Sequence, residues 1–317
     1  MNSSQHNKKI SKSTVSKALN HCYGVSSEVR DAILNCEEYR NIATRAHTNA
    51  EIYIIVPEVI LGGKKIVVSK FMSPETEYKL NIYSKPSDTS TIVNYLGEAI
   101  MLNSKAIIIA GRYDKDVASI IESLTDSRLI ININDYNNQR NSFFIGNDPK
   151  SDAISLAELV KKDITKGGKI VVIEPPSSFG NSPEMRFETF TDIIKSDYTV
   201  ENIHFPNVNQ KQIPSVLARS FNSIFQKEKV DAIISFNGFC DEIAAAIYKA
   251  SPDADIKLYA FQNPDTVGSD NKYIKGVVYE DVTEQIELSV KMAEEYIEKC
   301  VCPENKFTFT KSRVKEY

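Results

Sequence analysis

The sequence lacks a long apolar run. Nowhere in its 317 residues do apolar side chains continue for the roughly 18 positions that a membrane-spanning helix needs. The first residues also lack the apolar stretch of a secretion signal. We therefore expect a protein that works in the cytoplasm and makes no contact with a membrane.

The sequence also has few cysteines and histidines, and no motif typical of a metal site or an active site. Its five cysteines form no Cys-x-x-Cys pair, and it contains four histidines. No Gly-x-Ser-x-Gly motif and no phosphate-binding glycine loop follows a predicted strand. We expect free thiols, no metal ion, no cofactor and no enzymatic activity, which leaves a binding protein as the broad functional class.

Acidic residues outnumber basic ones in the chain as a whole, by 42 to 38, but not at its N-terminal end. The formal net charge of −4 excludes a protein that binds polyanions with its whole surface. The first 20 residues, however, contain four lysines and no acidic residue. Contact with a nucleic acid is therefore expected only near the N-terminus.

Residues 10–20 predict a short amphipathic helix at this basic end, with Ser11 at the N-cap position. Cations and hydroxyls at a helix N-terminus suit phosphate oxygens and guanine edges. The alternative is an ordinary solvated helix face. The apolar face is Val15, Ala18 and Leu19, and the polar face is Lys12, Ser13, Ser16 and Lys17.

A second helix and a linker follow in the sequence. Ser26 stands at the N-cap position of an amphipathic helix over residues 27–38. Residues 41–47 are too short and polar to form a core, and they indicate a linker. The N-terminal part of the chain is thus predicted to be a small helical head.

From residue 51 onward, strand-like apolar runs alternate with helical stretches such as 152–162 and 281–300. Several of these runs are continuous, which is typical of parallel strands buried on both faces. The ten strand-like runs together predict an α/β protein with two doubly wound lobes of five or six strands each. The predicted strands are 52–56, 78–82, 106–110, 128–133, 142–146, 169–174, 198–204, 231–236, 256–261 and 274–279.

The N-terminal motifs together resemble the lactose-repressor/galactose-repressor (LacI/GalR) family of bacterial transcription regulators. Residues 11–20 are similar to the recognition helix of that family, 24–26 to the start of its third helix, and 39–45 to its hinge segment. Residues 55–57 are similar to the end of its first core strand, and a weaker likeness continues to the end of the chain. The resemblance implies a helix-turn-helix head on a two-lobed, periplasmic-binding-protein-like core.

The resemblance also implies a dimeric repressor that binds double-stranded operator DNA. Lys12, Ser13 and Lys17 would face base edges in the major groove, and Asn41 belongs to the hinge segment. An effector bound between the lobes would change the affinity for the operator. The residues that would hold phosphates are Ser11, Thr14, Ser16, Asn20 and Ser26.

Two features depart from the pattern of that family. The family has another helix before its recognition helix, but residues 1–10 contain too few apolar side chains to form its packing face. The hinge lacks the family's proline before Asn41, and His47 stands where the family has a leucine. The alternative hypothesis is therefore a cytoplasmic small-molecule-binding protein whose head no longer binds DNA. A transport-type binding protein is a third interpretation.

The same resemblance implies a small polar effector at the carboxyl ends of the strands. Arg186 matches an effector-contacting arginine of the family, and Asn237 matches an effector-contacting asparagine. Gly238 and Gln262 stand where the family often has aspartates. A sugar or sugar derivative is therefore the expected ligand, while a nucleoside or an anionic ligand stays open. The remaining candidate contacts are Asn147, Asp148 and Gln262, with Tyr279 and Glu280 as weaker candidates at the last crossing between the lobes.

The expected domain boundaries follow from this organisation. Residues 1–47 would form the head and hinge. The first lobe would combine residues 50–147 with 280–299, and the second lobe would combine 148–279 with 300–317.

Overall fold

The predicted head and hinge, residues 1–47, lie outside the part of the chain that the structure describes, and so does Asn237. The computed structural model describes residues 51–317, except for 64, 65, 71, 75, 85–88, 136, 138–140, 177–180, 237, 269, 270, 300 and 301.

Strands and helices alternate through most of the described chain. All ten predicted strands are confirmed, and their ends differ from the prediction by at most one residue. The strands are β1 (Ile52–Pro57), β2 (Tyr78–Tyr83), β3 (Ala106–Ala110), β4 (Leu129–Ile133), β5 (Phe143–Asn147), β6 (Lys169–Glu174), β7 (Thr199–His204), β8 (Ala232–Ser235), β9 (Lys257–Phe261), β10 (Ile274–Tyr279), β11 (Phe307–Thr310) and β12 (Arg313–Glu316). The helices are α1 (Glu58–Leu61), α2 (Thr89–Met101), α3 (Lys115–Leu124), α4 (Pro149–Asp163), α5 (Asn181–Ile194), α6 (Ile213–Phe225), α7 (Cys240–Ala250) and α8 (Val282–Lys299).

The strands form two six-stranded sheets. The first sheet has the order β11-β5-β4-β3-β1-β2, and all of its strands are parallel. The second has the order β12-β10-β9-β8-β6-β7, and only its edge strand β12 is antiparallel to its neighbour. Central strands read as continuous apolar runs because both of their faces are covered, as in β1 and β3, where every residue is buried.

Helices cover both faces of each sheet, which confirms the prediction of two doubly wound lobes. In the first lobe, α1 and α8 pack on one face and α2 and α3 on the other. In the second lobe, α4 and α5 pack on one face and α6 and α7 on the other. No described helix combines the length and the apolar character that a bilayer span requires.

Within the described residues, the chain crosses between the lobes at three places. The first crossing joins β5 to α4, and Asp148 caps that helix by accepting from the backbone N–H groups of Lys150 and Ser151. The second joins β10 to α8, whose Val282, Ile286, Val290 and Ala293 pack on the first sheet. The third joins β11 to β12.

The C-terminal segment corrects one expected boundary. We expected residues 300–317 to belong entirely to the second lobe, but β11 adds to the edge of the first sheet and β12 to the edge of the second. The physical reason lies in the aromatic side chains of β11. Phe307 and Phe309 both pack edge-on against Phe144 of β5, with ring centroids 6.4 Å apart in each pair.

Candidate functional site

A cavity of about 850 Å³ opens between the two lobes, where the carboxyl ends of their strands meet. Pro57 ends β1, Tyr83 ends β2 and Phe261 ends β9, and all three side chains line the cavity. Glu280, directly after β10, lines it as well. Because parallel strands present their following loops at one edge, both lobes contribute side chains to one cleft.

Arg186 is the central cation of the cleft. It lies on α5, and only 4% of its surface is exposed. Its Nε donates to Oδ2 of Asp152 at 2.8 Å, and its Nη2 donates to the Glu280 carboxylate. A buried arginine needs such partners, because removing one of them would leave an uncompensated charge in a low-dielectric environment.

The guanidinium plane of Arg186 also stacks on an aromatic ring. Its Cζ atom lies 3.5 Å from the centroid of the Phe261 ring. This contact combines a cation–π attraction with tight packing. Arg186 is therefore fixed on its edge by two carboxylates and on its face by Phe261.

Glu280 connects elements of both lobes. It accepts from Nε2 of Gln285 at 2.6 Å and from Nδ2 of Asn134 at 3.3 Å, in addition to Arg186. Burial raises the pKa of Glu280 to about 7, Arg186 opposes this rise, and the charge of Asp152 adds to it. All three partners donate hydrogen bonds, so the carboxylate serves as an acceptor at the boundary between the lobes.

Asn147 and Asp152 tie the three crossings together. Nδ2 of Asn147 donates to Oδ1 of Asp152 at 2.8 Å, and its Oδ1 accepts from Oγ1 of Thr310 at 2.6 Å. Oγ of Ser312 donates to the same Asp152 oxygen at 2.6 Å. Because Asp152 and Glu280 both bind Arg186, residues beside all three crossings share one largely buried network. We call Asn147, Asp152, Arg186, Glu280, Thr310 and Ser312 the crossover network.

A direct hydrogen bond joins the lobes inside the cleft. Oγ of Ser182, at the start of α5, donates to Oδ1 of Asp135 at 2.8 Å. Asp135 follows β4 of the first lobe, and both residues are buried and line the cavity. The contact joins the two walls of the cleft.

On the second-lobe wall, Gln262 supports an unusual turn. Gly238 and Phe239 both have positive φ angles, of 72° and 61°, just before α7. The Oε1 atom of Gln262 accepts from the backbone N–H of Cys240 at 2.8 Å, and its Nε2 donates to Oγ1 of Thr266 at 2.9 Å. The side chain of Gln262 therefore shapes the wall that carries Phe239.

The structure brings only some of the expected effector contacts into the cleft. Arg186 and Gln262 line the cavity. Asn147 lies beside the cavity in the crossover network, Asp148 caps α4, and Tyr279 offers its backbone carbonyl to Asn147 at 3.5 Å. Asn237 and the nine residues expected to contact DNA lie outside the described residues.

Other side chains of the cleft were missed by sequence reasoning. Asn134 and Asp135 directly follow a predicted strand, so the strand-end rule that selected Asn147 could have selected them. Asp152 gives no such signal, because it lies within the first turn of a helix, where acidic residues are common. Among the described residues, no group of three His, Cys, Asp or Glu side chains could hold a metal ion.

A family profile described as a periplasmic binding protein domain matches residues 71–299. No curated protein matches the chain in sequence.

Solved structures of binding proteins share the fold. A sugar-binding protein of a sugar ABC transporter from Bacillus halodurans is 12% identical, with a TM-score of 0.70 over 84% of this chain and 97% of that one. GanP, a glucose-galactose binding protein from Geobacillus stearothermophilus, is 17% identical, with a TM-score of 0.64 over 84% and 97%. A carbohydrate transporter solute-binding protein from Agrobacterium radiobacter, in complex with D-arabinose, is 16% identical, with a TM-score of 0.65 over 85% and 95%.

Proposed function

Because the chain belongs to the family of periplasmic binding protein domains, we propose that it binds a small sugar-like ligand between its two lobes. The observation that carries the proposal is the cavity of about 850 Å³, which both lobes line with buried polar side chains. Its size suits a small molecule. No catalytic role is proposed for it.

The lining of the cleft fits a polyhydroxylated ligand. Tyr83, Phe236, Phe239 and Phe261 supply aromatic surface, onto which the apolar faces of a sugar ring can pack. Asp135, Arg186 and Glu280 supply charged hydrogen-bonding groups between them. The similar structures named above include carbohydrate-binding proteins, which agrees with this choice of ligand.

We further propose that the chain is a cytoplasmic, dimeric repressor. This part of the proposal is supported by residues 11–20, 24–26 and 39–45, which resemble the head and hinge of the LacI/GalR family. The hinge-like segment precedes β1 of the first lobe in the sequence. A ligand that binds one relative orientation of the lobes more tightly would shift the position of β1, and thereby the affinity for operator DNA.

The proposal is tested in two steps on the full chain. Isothermal titration calorimetry with a panel of pentoses, hexoses and nucleosides should find a ligand, and Arg186→Lys should weaken its binding. A gel-shift assay with the protein's own promoter region should then show a sequence-specific complex that is sensitive to salt and to that ligand.

A matched pair of variants separates specific DNA contact from general charge. The double variant Lys12→Ala/Lys17→Ala should abolish the complex, whereas Lys211→Ala/Lys227→Ala, which removes the same charge from exposed positions of the second lobe, should leave it intact. Ligand binding without any DNA complex would instead support a small-molecule-binding protein with a non-functional head.

A second candidate function is the delivery of a solute to a transporter. The observation that favours it is that the similar structures include a sugar-binding protein of a sugar ABC transporter and a solute-binding protein of a carbohydrate transporter. Finding the protein outside the cytoplasm, together with no promoter complex, would support this function over repression.

A further inference from the structure

Carboxylates outnumber cations among the described residues that line the cleft. Two arginines and four acidic residues line the cavity. The sum of these formal charges is therefore −2. The arginines are Arg112 and Arg186, and the acidic residues are Asp135, Asp241, Glu242 and Glu280.

The more deeply buried of the two arginines brings no net positive charge to a ligand. Arg186 forms ion pairs with Asp152 and Glu280, and all three side chains are at least 93% buried. Phe261 covers one face of its guanidinium group. The positive charge of Arg186 is thus balanced within the wall itself, by two carboxylates against one cation.

The remaining carboxylates accept hydrogen bonds from neutral donors, and Asp135 also attracts Arg186 electrostatically. Asp135 accepts from Ser182, Asp241 accepts from the backbone N–H of Gly268 at 3.1 Å, and Glu242 accepts from Gln210 at 2.6 Å. Neutral donors stabilise a carboxylate without cancelling its charge. The formal charges of the residues that line the cleft still sum to −1 when Glu280 is protonated.

We propose that the cleft selects a hydroxylated ligand that carries a protonated amine over the neutral analogue, and the neutral analogue over a phosphate ester or carboxylate. This inference rests on the proposed function of the cleft as a ligand site. The sequence alone left the charge of the ligand open. Gly238 and Gln262 stand where the family often has aspartates, so an anionic ligand was conceivable. The fold brings other carboxylates to the same cavity, and electrostatic complementarity then disfavours anions.

The potential in the cleft is measured first, without any ligand. Val59 lines the cleft and is 57% exposed, so Val59→Cys supplies a reactive thiol there. The background variant carries Cys22→Ser, Cys36→Ser, Cys300→Ser and Cys302→Ser, while the buried Cys240 is kept. The introduced thiol is allowed to react with a cationic reagent, 2-(trimethylammonium)ethyl methanethiosulfonate, and with an anionic one, 2-sulfonatoethyl methanethiosulfonate. Each rate constant is divided by the rate constant of the same reagent with free 2-mercaptoethanol.

The normalised rate of the cationic reagent should exceed that of the anionic reagent by roughly tenfold, as a potential of one to a few kT implies. Asp241→Asn/Glu242→Gln should reduce this ratio. The matched control is Tyr248→Cys, which is 58% exposed on α7 and does not line the cleft, and its ratio should lie near one. A ratio at Val59→Cys no greater than at Tyr248→Cys would overturn the inference.

The ligand preference is then measured by calorimetry with D-glucosamine, D-glucose and D-glucose 6-phosphate, and with the corresponding galactose series, below the pKa of the amines. The affinity should fall in that order. Tighter binding of a phosphate ester than of its neutral sugar would also overturn the inference. A high thiol ratio with no binding in either series would count against the sugar-like ligand of the proposed function, while the charge selectivity would stand.

Discussion

The two lobes have the same strand order, yet they give the cleft different chemistry. The first sheet runs β2-β1-β3-β4-β5-β11 and the second runs β7-β6-β8-β9-β10-β12, so each strand has a counterpart at the same place. The final strands differ, because β11 is parallel to its neighbour and β12 is antiparallel. Each sheet is covered by one layer of helices on each face.

The loops after equivalent strands show the difference. Asn134 and Asp135 follow β4, while Gln262 and Asn263 follow β9 at the matching position. Asp135 bonds across the cleft to the other lobe, whereas Gln262 caps α7 within its own lobe. The strand order thus decides where polar side chains meet, and the local partners decide what each of them does.

The largest effect is expected at Arg186, which contacts residues at two of the three crossings between the lobes. Arg186→Ala leaves the buried carboxylates of Asp152 and Glu280 without their cation. The free energy of unfolding should fall by about 3–5 kcal/mol, as for other buried pairs that lose one partner. Urea denaturation followed by circular dichroism measures it. Arg219→Ala, at an exposed position of α6, is the control and should have little effect. An equal effect of the two variants would contradict the central place of Arg186.

The cores of the two lobes should respond alike to the same truncation. Ile108 of β3 and Ile234 of β8 are counterparts with no exposed surface. Ile108→Ala and Ile234→Ala should each lower the free energy of unfolding by about 2–5 kcal/mol. Ile82→Ala, at a 44% exposed position of edge strand β2, should cost less than either. If only one core variant were destabilising, the lobes would differ in packing as well as in chemistry.

The pH dependence of stability should reveal the buried carboxylate between the lobes. The pKa of Glu280 rises from 4.5 to about 7 on folding, so in this interval the folded protein binds more protons there than the unfolded chain does. Its contribution to the free energy of unfolding therefore falls as the pH rises from about 4.5 to about 7, by an amount on the order of 1–3 kcal/mol.

Thermal unfolding across this pH range tests the direction of the effect. Glu280→Gln should lose the decline, and Glu304→Gln, at an exposed position, should retain it. If the unfolding temperatures of the parent protein and of Glu280→Gln changed with pH in parallel, Glu280 would titrate alike in the folded and unfolded states.

The smallest expected effect concerns the third crossing. Oγ1 of Thr310 donates to Oδ1 of the buried Asn147, so Thr310→Val leaves that acceptor without this partner. We expect a loss of about 1–2 kcal/mol in the free energy of unfolding. Thr308→Val, on the same strand, is the control, since none of the described hydrogen bonds joins the side chain of Thr308 to the crossover network. An unchanged free energy for Thr310→Val would mean that the network tolerates the loss of this crossing.

The fold could be predicted because its strongest signal is local. Runs such as Ala106–Ala110 are wholly apolar since the strand is covered on both faces. The strands β11 and β12 gave no such signal. Phe309 is 55% exposed, and every residue of β12 is exposed, so these edge strands lack the apolar run on which the prediction depends.

The site was harder to predict than the fold. Arg186 and Gln262 were found through a family resemblance, whereas Asp152 and Ser312 meet only because chain segments 160 residues apart come together. Their residue types, a helix-start aspartate and a serine near the C-terminus, are common in solvated positions. Their role arises from the tertiary arrangement.

The crossover network also has a consequence for how the protein is made. Thr310 joins Asn147 across 163 residues of chain, and β11 completes the edge of a sheet whose other five strands precede residue 148. On the ribosome, the second lobe must therefore be almost entirely synthesised before the first sheet receives its last strand. Nascent first lobes would expose the edge of β5, including Phe144, throughout that interval. The order of synthesis thus leaves the earliest lobe dependent on the latest residues of the chain.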